Sequence, residues 1–144
     1  MRRLFTVSVL TLAIFASGAN AHEDVKNETV KARMMAMSAI GGAMKTVGGM
    51  AQGKVAFDAE AAAAAVAVME AQSAKVPALF EAQEGDPKSE AKPEIWTNWD
   101  DFVAKSNALN AAAKAADTSS VEALGASLGA LGGACKACHT AYRL

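Results

Sequence analysis

Cys135-Lys136-Ala137-Cys138-His139, close to the C-terminus of this 144-residue chain, form a C-x-x-C-H motif that contains both of its cysteines. Two thiols at this spacing can each form a thioether with a vinyl group of one porphyrin, and the imidazole beside the second thiol can then bind the iron. The motif therefore predicts one covalently attached haem c. Cys135 and Cys138 would be its tethers, and His139 would be an axial iron ligand.

A C-x-x-C pair can also form a redox disulfide or contribute to a zinc site. A thioredoxin-type disulfide follows a strand and a turn, whereas the residues before Cys135 have a helical pattern. A structural zinc site needs four ligands, and the whole chain has two cysteines and two histidines. These comparisons favour haem. A helical bundle that carries a periplasmic disulfide and no haem is the alternative that stays open.

The N-terminus has the pattern of a secretory signal. Arg2 and Arg3 precede an apolar run over residues 4–15, and Ala19-Asn20-Ala21 ends the segment with the small-x-small pattern of a cleavage site. The apolar run is shorter than the roughly 20 residues of a membrane-spanning helix. We predict a signal peptide over residues 1–21, a mature chain that begins at His22, no membrane span, and a periplasmic location.

Removing 21 of the 144 residues leaves 123, which is the size of one domain, over residues 22–144. Without Arg2 and Arg3 this domain has 12 basic residues against 15 acidic ones, a mild acidity that does not favour a nucleic-acid surface. The neighbouring acids Asp100 and Asp101 are predicted to lie on a solvated helix face. A serine, histidine and acid set is not recognisable, and we expect no enzyme activity.

The composition predicts an all-α fold. Alanine, methionine, leucine, lysine and glutamate dominate, and the alternation typical of strands is missing. Four helices are predicted, from about Asp24 to about Met50, from an Asp58 cap to before Pro77, from about Pro93 to Asp117, and from a Ser119 cap through the motif. Polar residues 83–92 predict one long connection.

A signal peptide, four helices and a C-x-x-C-H motif in the last helix resemble the cytochrome c prime family. Arg33, the opening Lys92-Pro93-Glu94-Ile95-Trp96 of the third helix and the ending Cys138-His139-Thr140-Ala141-Tyr142-Arg143 carry the same resemblance. It implies an antiparallel four-helix bundle, a haem edge exposed enough for electron exchange with redox partner proteins, and dimerisation through the first two helices. It also implies that Arg33 lies near a haem propionate and Arg143 near the proximal histidine. Surface solvation is the alternative for both arginines.

The resemblance also indicates a residue for the second axial position of the iron. Met37 follows Arg33 by one helical turn, and residues 37–44 resemble the low-spin branch of the family, in which a methionine binds the iron. Met34 is the nearest substitute, whereas Met44 is two turns away, and packing in the core is the other common use of methionine. Two functional hypotheses follow. The protein is an electron carrier with a His139/Met37 ligand pair, or a five-coordinate protein that binds nitric oxide or carbon monoxide.

Overall fold

The computed structural model describes residues 24–144, so the predicted signal peptide, residues 1–21, and His22 lie outside the described residues. The elements are α1 (Glu28–Ala51), α2 (Ala59–Ser73), α3 (Val76–Phe80), α4 (Glu94–Thr97), α5 (Trp99–Ala115) and α6 (Val121–Tyr142). The long helices α1, α2, α5 and α6 are the four that the sequence predicts. Between residues 24 and 144 the only β-type pairing is an isolated antiparallel bridge between Ala91 and Arg143. The fold is therefore all-α, as expected.

Side-chain caps set the starts of three long helices. The side chains of Asn27, Asp58 and Ser120 accept hydrogen bonds from backbone N–H groups three residues later, at 3.0, 3.0 and 3.1 Å. The predicted Asp58 cap is confirmed. The predicted Ser119 cap is wrong, because the Ser119 backbone N–H donates to Asp117 Oδ1 at 2.9 Å and keeps Ser119 in the preceding turn.

The four long helices form a closed ring of neighbours. α1 packs against α2 and α6, and α5 packs against the same two helices. Residues 52–58 join α1 to α2 and residues 116–120 join α5 to α6, and such short loops connect antiparallel neighbours. The connection between α2 and α5 is long and contains the short helices α3 and α4. This arrangement is an antiparallel four-helix bundle.

The core consists of two clusters at different levels of the bundle. The larger cluster contains the fully buried Val47, Met69, Leu124 and Leu131. The second, which we call the aromatic cluster, contains Val76, Phe80, Ile95, Phe102 and Tyr142. Phe102 lies 5.1 Å from Phe80 and 5.4 Å from Tyr142, ring centroid to ring centroid. The aromatic cluster packs against Cys138 and Met37, and so it lies beside the haem motif.

Candidate functional site

The C-x-x-C-H motif lies inside the last long helix. α6 runs without interruption from Val121 to Tyr142, and both cysteines are half-buried and free of a disulfide. At 3.6 residues per turn, Cys135, Cys138 and His139 share one side of this helix. A continuous helix before the motif does not match the strand and turn that precede a thioredoxin-type disulfide.

A cavity of about 470 Å³ lies beside α6 at Cys138 and His139, whereas Cys135 does not border it. α1 forms one wall with Arg33, Met34 and Met37, α6 forms another with Cys138, His139, Tyr142 and Arg143, and residues 88–91 border it as well. Phe80, Ile95 and Phe102 of the aromatic cluster also face it. Its volume falls within the roughly 300–1,000 Å³ of cofactor and ligand sites. A thiol, an imidazole and thioethers around one largely apolar cavity fit an iron porphyrin.

The three methionines considered for iron binding differ in whether they line this cavity. Met37 and Met34 both line it, whereas Met44 does not. The Met44 Cε atom lies instead 3.8 Å from the position that a Cβ would take at Gly132, in the contact between α1 and α6. Met37 packs against both core clusters. The described geometry therefore brings Met37 and His139 to one cavity and leaves Met34 as the neighbouring thioether.

Burial shifts the pKa values of the two cysteines and of His139 so that each side chain favours its neutral form. Burial raises the pKa of Cys135 and is the largest cause of the raised pKa of Cys138. It also lowers the pKa of His139, with Arg143 lowering it further and Glu90 opposing the change. A neutral imidazole keeps the lone pair that a metal requires.

Arg33 is buried, with 3% of its surface exposed, so surface solvation is wrong for this residue. Its guanidinium donates from Nε to the Leu79 carbonyl at 2.8 Å, from Nη1 to the Glu84 carbonyl at 2.9 Å, and from Nη2 to the Ala82 carbonyl. Its Cζ atom lies 4.7 Å from the centre of the Phe80 ring, within the range of a cation–π interaction. Arg33 thus holds the segment after α3 against the cavity wall. Its contact with a propionate stays a prediction.

Arg143 differs from Arg33 in its surroundings. Its side chain is 53% exposed, and its Nε donates to Glu90 Oε2 at 2.5 Å. Both side chains border the cavity together with His139. Arg143 therefore lies beside the predicted iron ligand with half of its side chain exposed, and it has a partner, Glu90, that the sequence analysis missed. Glu90 lies 53 positions away in the long connection, and no local pattern in the sequence links the two.

A second missed contact joins the end of α6 to α5. The Tyr142 hydroxyl donates to Asp101 Oδ2, and Lys105 Nζ donates to Asp101 Oδ1 at 2.7 Å. These two hydrogen bonds lower the pKa of Asp101, and the bond to Asp101 is the largest cause that raises the pKa of Tyr142 to about 12. Asp101 is exposed, as predicted, but its bond to Tyr142 was not predicted. Tyr142 lies four residues after Cys138, and this helical spacing is the one signal in the sequence that places the tyrosine beside the motif.

Comparisons with known proteins point to one family. A family model described as Cytochrome C' matches residues 28–143. The cytochrome c' of Pararhodospirillum photometricum is 35% identical over 118 residues, which are 79% of this chain and 94% of that protein. A cytochrome c-556 of Agrobacterium tumefaciens (strain apple 185) is 35% identical over 119 residues, 81% of this chain and 94% of that protein.

A solved structure is similar as well. It is the nitric oxide complex of a mutant cytochrome c prime from Alcaligenes xylosoxidans, with 32% sequence identity and a TM-score of 0.70. The match covers 81% of this chain and 94% of that chain.

Proposed function

This chain belongs to the cytochrome c prime family, and from that premise we propose that it is a periplasmic electron carrier whose iron is bound by His139 and Met37. Family membership itself makes the protein an electron-carrying haem protein with one covalently attached haem c. The proposal adds the axial ligand pair, the location and the partners.

Cys135 and Cys138 would hold the haem and His139 would bind its iron. When bound, the haem supplies one-electron exchange between ferrous and ferric iron. The half-buried cysteines and His139 lie on one side of α6, and this helix keeps their spacing fixed. The aromatic cluster excludes water from one wall of the cavity, which limits the change in solvation when the iron changes its charge.

The observation that carries the ligand pair is that Met37 of α1 and His139 of α6 line the same cavity. A thioether opposite an imidazole raises the reduction potential and occupies the position where an external ligand would bind. Met37 is partly buried and packs against both core clusters, which restricts its side chain before it binds the iron. An iron with two protein ligands suits electron transfer.

Gas binding is the second candidate function, because a similar solved structure is a nitric oxide complex. In that case Met37 would pack in the core without binding iron. Nitric oxide or carbon monoxide would then bind the iron directly.

Carbon monoxide binding to the reduced protein separates the two functions. For the electron carrier we expect slow binding whose rate becomes independent of carbon monoxide concentration, because Met37 must leave first. Met37→Ala should bind fast, with a rate proportional to concentration, and Met34→Ala is the control that should behave like the wild type. Fast, proportional binding by the wild type would favour the gas-binding function.

Covalent attachment is tested by a haem stain after denaturing electrophoresis. The wild type should keep its stain and a Cys135→Ala/Cys138→Ala variant should lose it, because both predicted tethers are then removed. A stain retained by that variant, or missing from the wild type, would refute the assignment of the tethers.

The proposed location rests on the predicted signal over residues 1–21 and on the family. None of the helices within residues 24–144 is long and apolar enough to cross a membrane. We propose redox proteins of the periplasm as partners, and a role in electron transfer without an enzyme activity of its own. Recovery of the haem-stained protein in the periplasmic fraction of the native host would support this location, and its recovery in the cytosol would contradict it.

A homodimer through α1 and α2 is part of the same proposal. Each of these helices exposes a large apolar side chain, Met35 at 56% and Val68 at 39%. Sedimentation should show a dimer that Val68→Glu weakens, and an exposed site on another helix, Ala111→Glu, is the control. A monomer at all concentrations would contradict this part.

A further inference from the structure

Residues 90–92 attach the long connection to the end of α6. The Lys92 N–H donates to the Tyr142 carbonyl at 3.0 Å, and the Leu144 N–H donates to the Glu90 carbonyl at 2.9 Å. Ala91 and Arg143 form the antiparallel bridge between these bonds. This short pairing brings the Glu90 side chain to the C-terminal end of the motif helix.

The side chains of Glu90 and Arg143 form an ion pair at this place. Arg143 Nε and Glu90 Oε2 are 2.5 Å apart, and Arg143 is tied to His139 through a 3.0 Å bond from its N–H to the His139 carbonyl. Glu90, Arg143 and His139 border the same cavity. A cation and an anion therefore lie together beside the predicted iron ligand.

We propose that Glu90 is a positioning residue of the haem site, which holds Arg143 in place and offsets its positive charge at the iron. The proposal rests on the proposed role of His139 as an iron ligand. Glu90 would then help to set the reduction potential of the haem.

The sign of each contribution follows from electrostatics. Ferric iron has one more positive charge than ferrous iron, so a nearby cation favours the reduced state and a nearby anion favours the oxidised state. As a pair, Arg143 and Glu90 would largely cancel each other's effect on a bound iron. Removing one partner leaves the charge of the other uncompensated.

Redox titration of the haem-loaded protein tests this directly. Glu90→Gln should raise the midpoint potential and Arg143→Gln should lower it. Each change should be about threefold in the equilibrium constant, or about 30 mV at 59 mV per tenfold for one electron. The double variant should return close to the wild type, and all shifts should shrink as salt rises from about 0.01 M to about 0.5 M.

Glu94→Gln is the matched control, because it removes an exposed carboxylate that does not border the cavity, and it should shift the potential less than Glu90→Gln. A purely structural pair would give shifts of the same sign in both single variants, since each breaks the same contact. Shifts of one sign, or none, would overturn the proposal. Failure of the proposed Met37 ligation is distinguishable, because it removes the methionine-to-iron charge-transfer band from the wild-type spectrum and leaves the opposite signs of the two variants unchanged.

Discussion

At the scale of single residues, the two arginines that the family resemblance singles out have different environments. Arg33 is buried and donates to three backbone carbonyls, whereas Arg143 is half-exposed and pairs with one carboxylate. A hydrogen bond from a charged group contributes about 1.5–3 kcal/mol, and an exposed ion pair contributes about 0–1 kcal/mol. Their contributions to stability should differ accordingly.

We therefore expect Arg33→Gln to lower the free energy of unfolding by about 3 kcal/mol or more, because it removes the charged donor of three hydrogen bonds from a buried position. Arg143→Gln is the matched control and should lower it by about 1 kcal/mol or less. Denaturant unfolding of the haem-loaded proteins measures both values. Similar losses in the two variants would contradict the role of Arg33 as a clamp.

Tyr142 is the single tyrosine of the chain, so its ionisation can be followed by absorbance without ambiguity. The hydrogen bond to Asp101 holds its pKa at about 12, and Asp101→Asn should bring the pKa down toward about 10. Asp100→Asn makes the same change in net charge and should leave the titration close to the wild type. A normal tyrosine titration in the wild type would mean that the bond is absent in solution.

How much of the site the sequence predicts depends on how far apart the interacting residues are. The motif and Met37 follow from helical spacing and from the family resemblance, because both lie on regular helices. The partners of Arg33 are carbonyls 46 to 51 positions away, and backbone carbonyls leave no mark in a sequence. The Glu90 contact was missed for a similar reason, since its side chain depends on the path of an irregular connection.

At the scale of the elements, the four long helices follow from composition and capping. The breaks that separate the short helices α3 and α4 from their long neighbours do not. The predicted third helix is divided at Asn98, whose φ of −121° and ψ of 44° end α4 before α5 begins. Pro77 lies in the first turn of α3 and not merely after α2, since proline is tolerated at the start of a helix. Short helices of four or five residues depend on tertiary contacts more than on propensity.

The corrected start of α6 gives a matched pair of variants. Ser120→Ala should lower the free energy of unfolding by about 1 kcal/mol, because it removes the side chain that caps the Ala123 N–H. Ser119→Ala should change it by less than about 0.5 kcal/mol. Thermal and denaturant unfolding compare the two variants. A larger loss of unfolding free energy in Ser119→Ala than in Ser120→Ala would mean that Ser119 caps α6, as the sequence predicts.

At the scale of the whole molecule, the long connection links the two helices that enclose the cavity. Asp86 attaches it to the start of α1, because its Oδ2 atom accepts hydrogen bonds from the backbone N–H groups of Lys26 and Asn27, at 3.0 and 3.2 Å. Residues 90–92 attach it to the end of α6. The sequence predicts the position of this connection from its polar residues. It does not predict the attachments, because they form between segments that are distant in the chain.

The hydrogen bonds that Asp86 accepts, from the local turn and from the start of α1, predict a pH dependence. The Lys88 N–H bond, followed by those of Asn27 and Lys26, holds the pKa of Asp86 below its usual range. A lowered pKa in the folded state means that the carboxylate stabilises the fold above the unfolded value of about 4 and loses this effect as pH falls through the lowered value.

The melting temperature of Asp86→Asn should therefore lie below that of the wild type at about pH 7, and the gap should narrow as the pH falls below about 4. Asp100→Asn, with the same change in net charge outside this network, is the control. A gap that stays constant down to about pH 2 would contradict the stabilising role of the ionised Asp86 carboxylate.

The proposed ligand pair, His139 of α6 and Met37 of α1, would hold one iron between the two helices. The absorption spectrum of the oxidised protein at neutral pH tests it most directly, through the charge-transfer band between methionine sulfur and ferric iron. We expect this band in the wild type and in Met34→Ala, and we expect it to vanish in Met37→Ala. Its absence from the wild type, or its persistence in Met37→Ala, would contradict the claim.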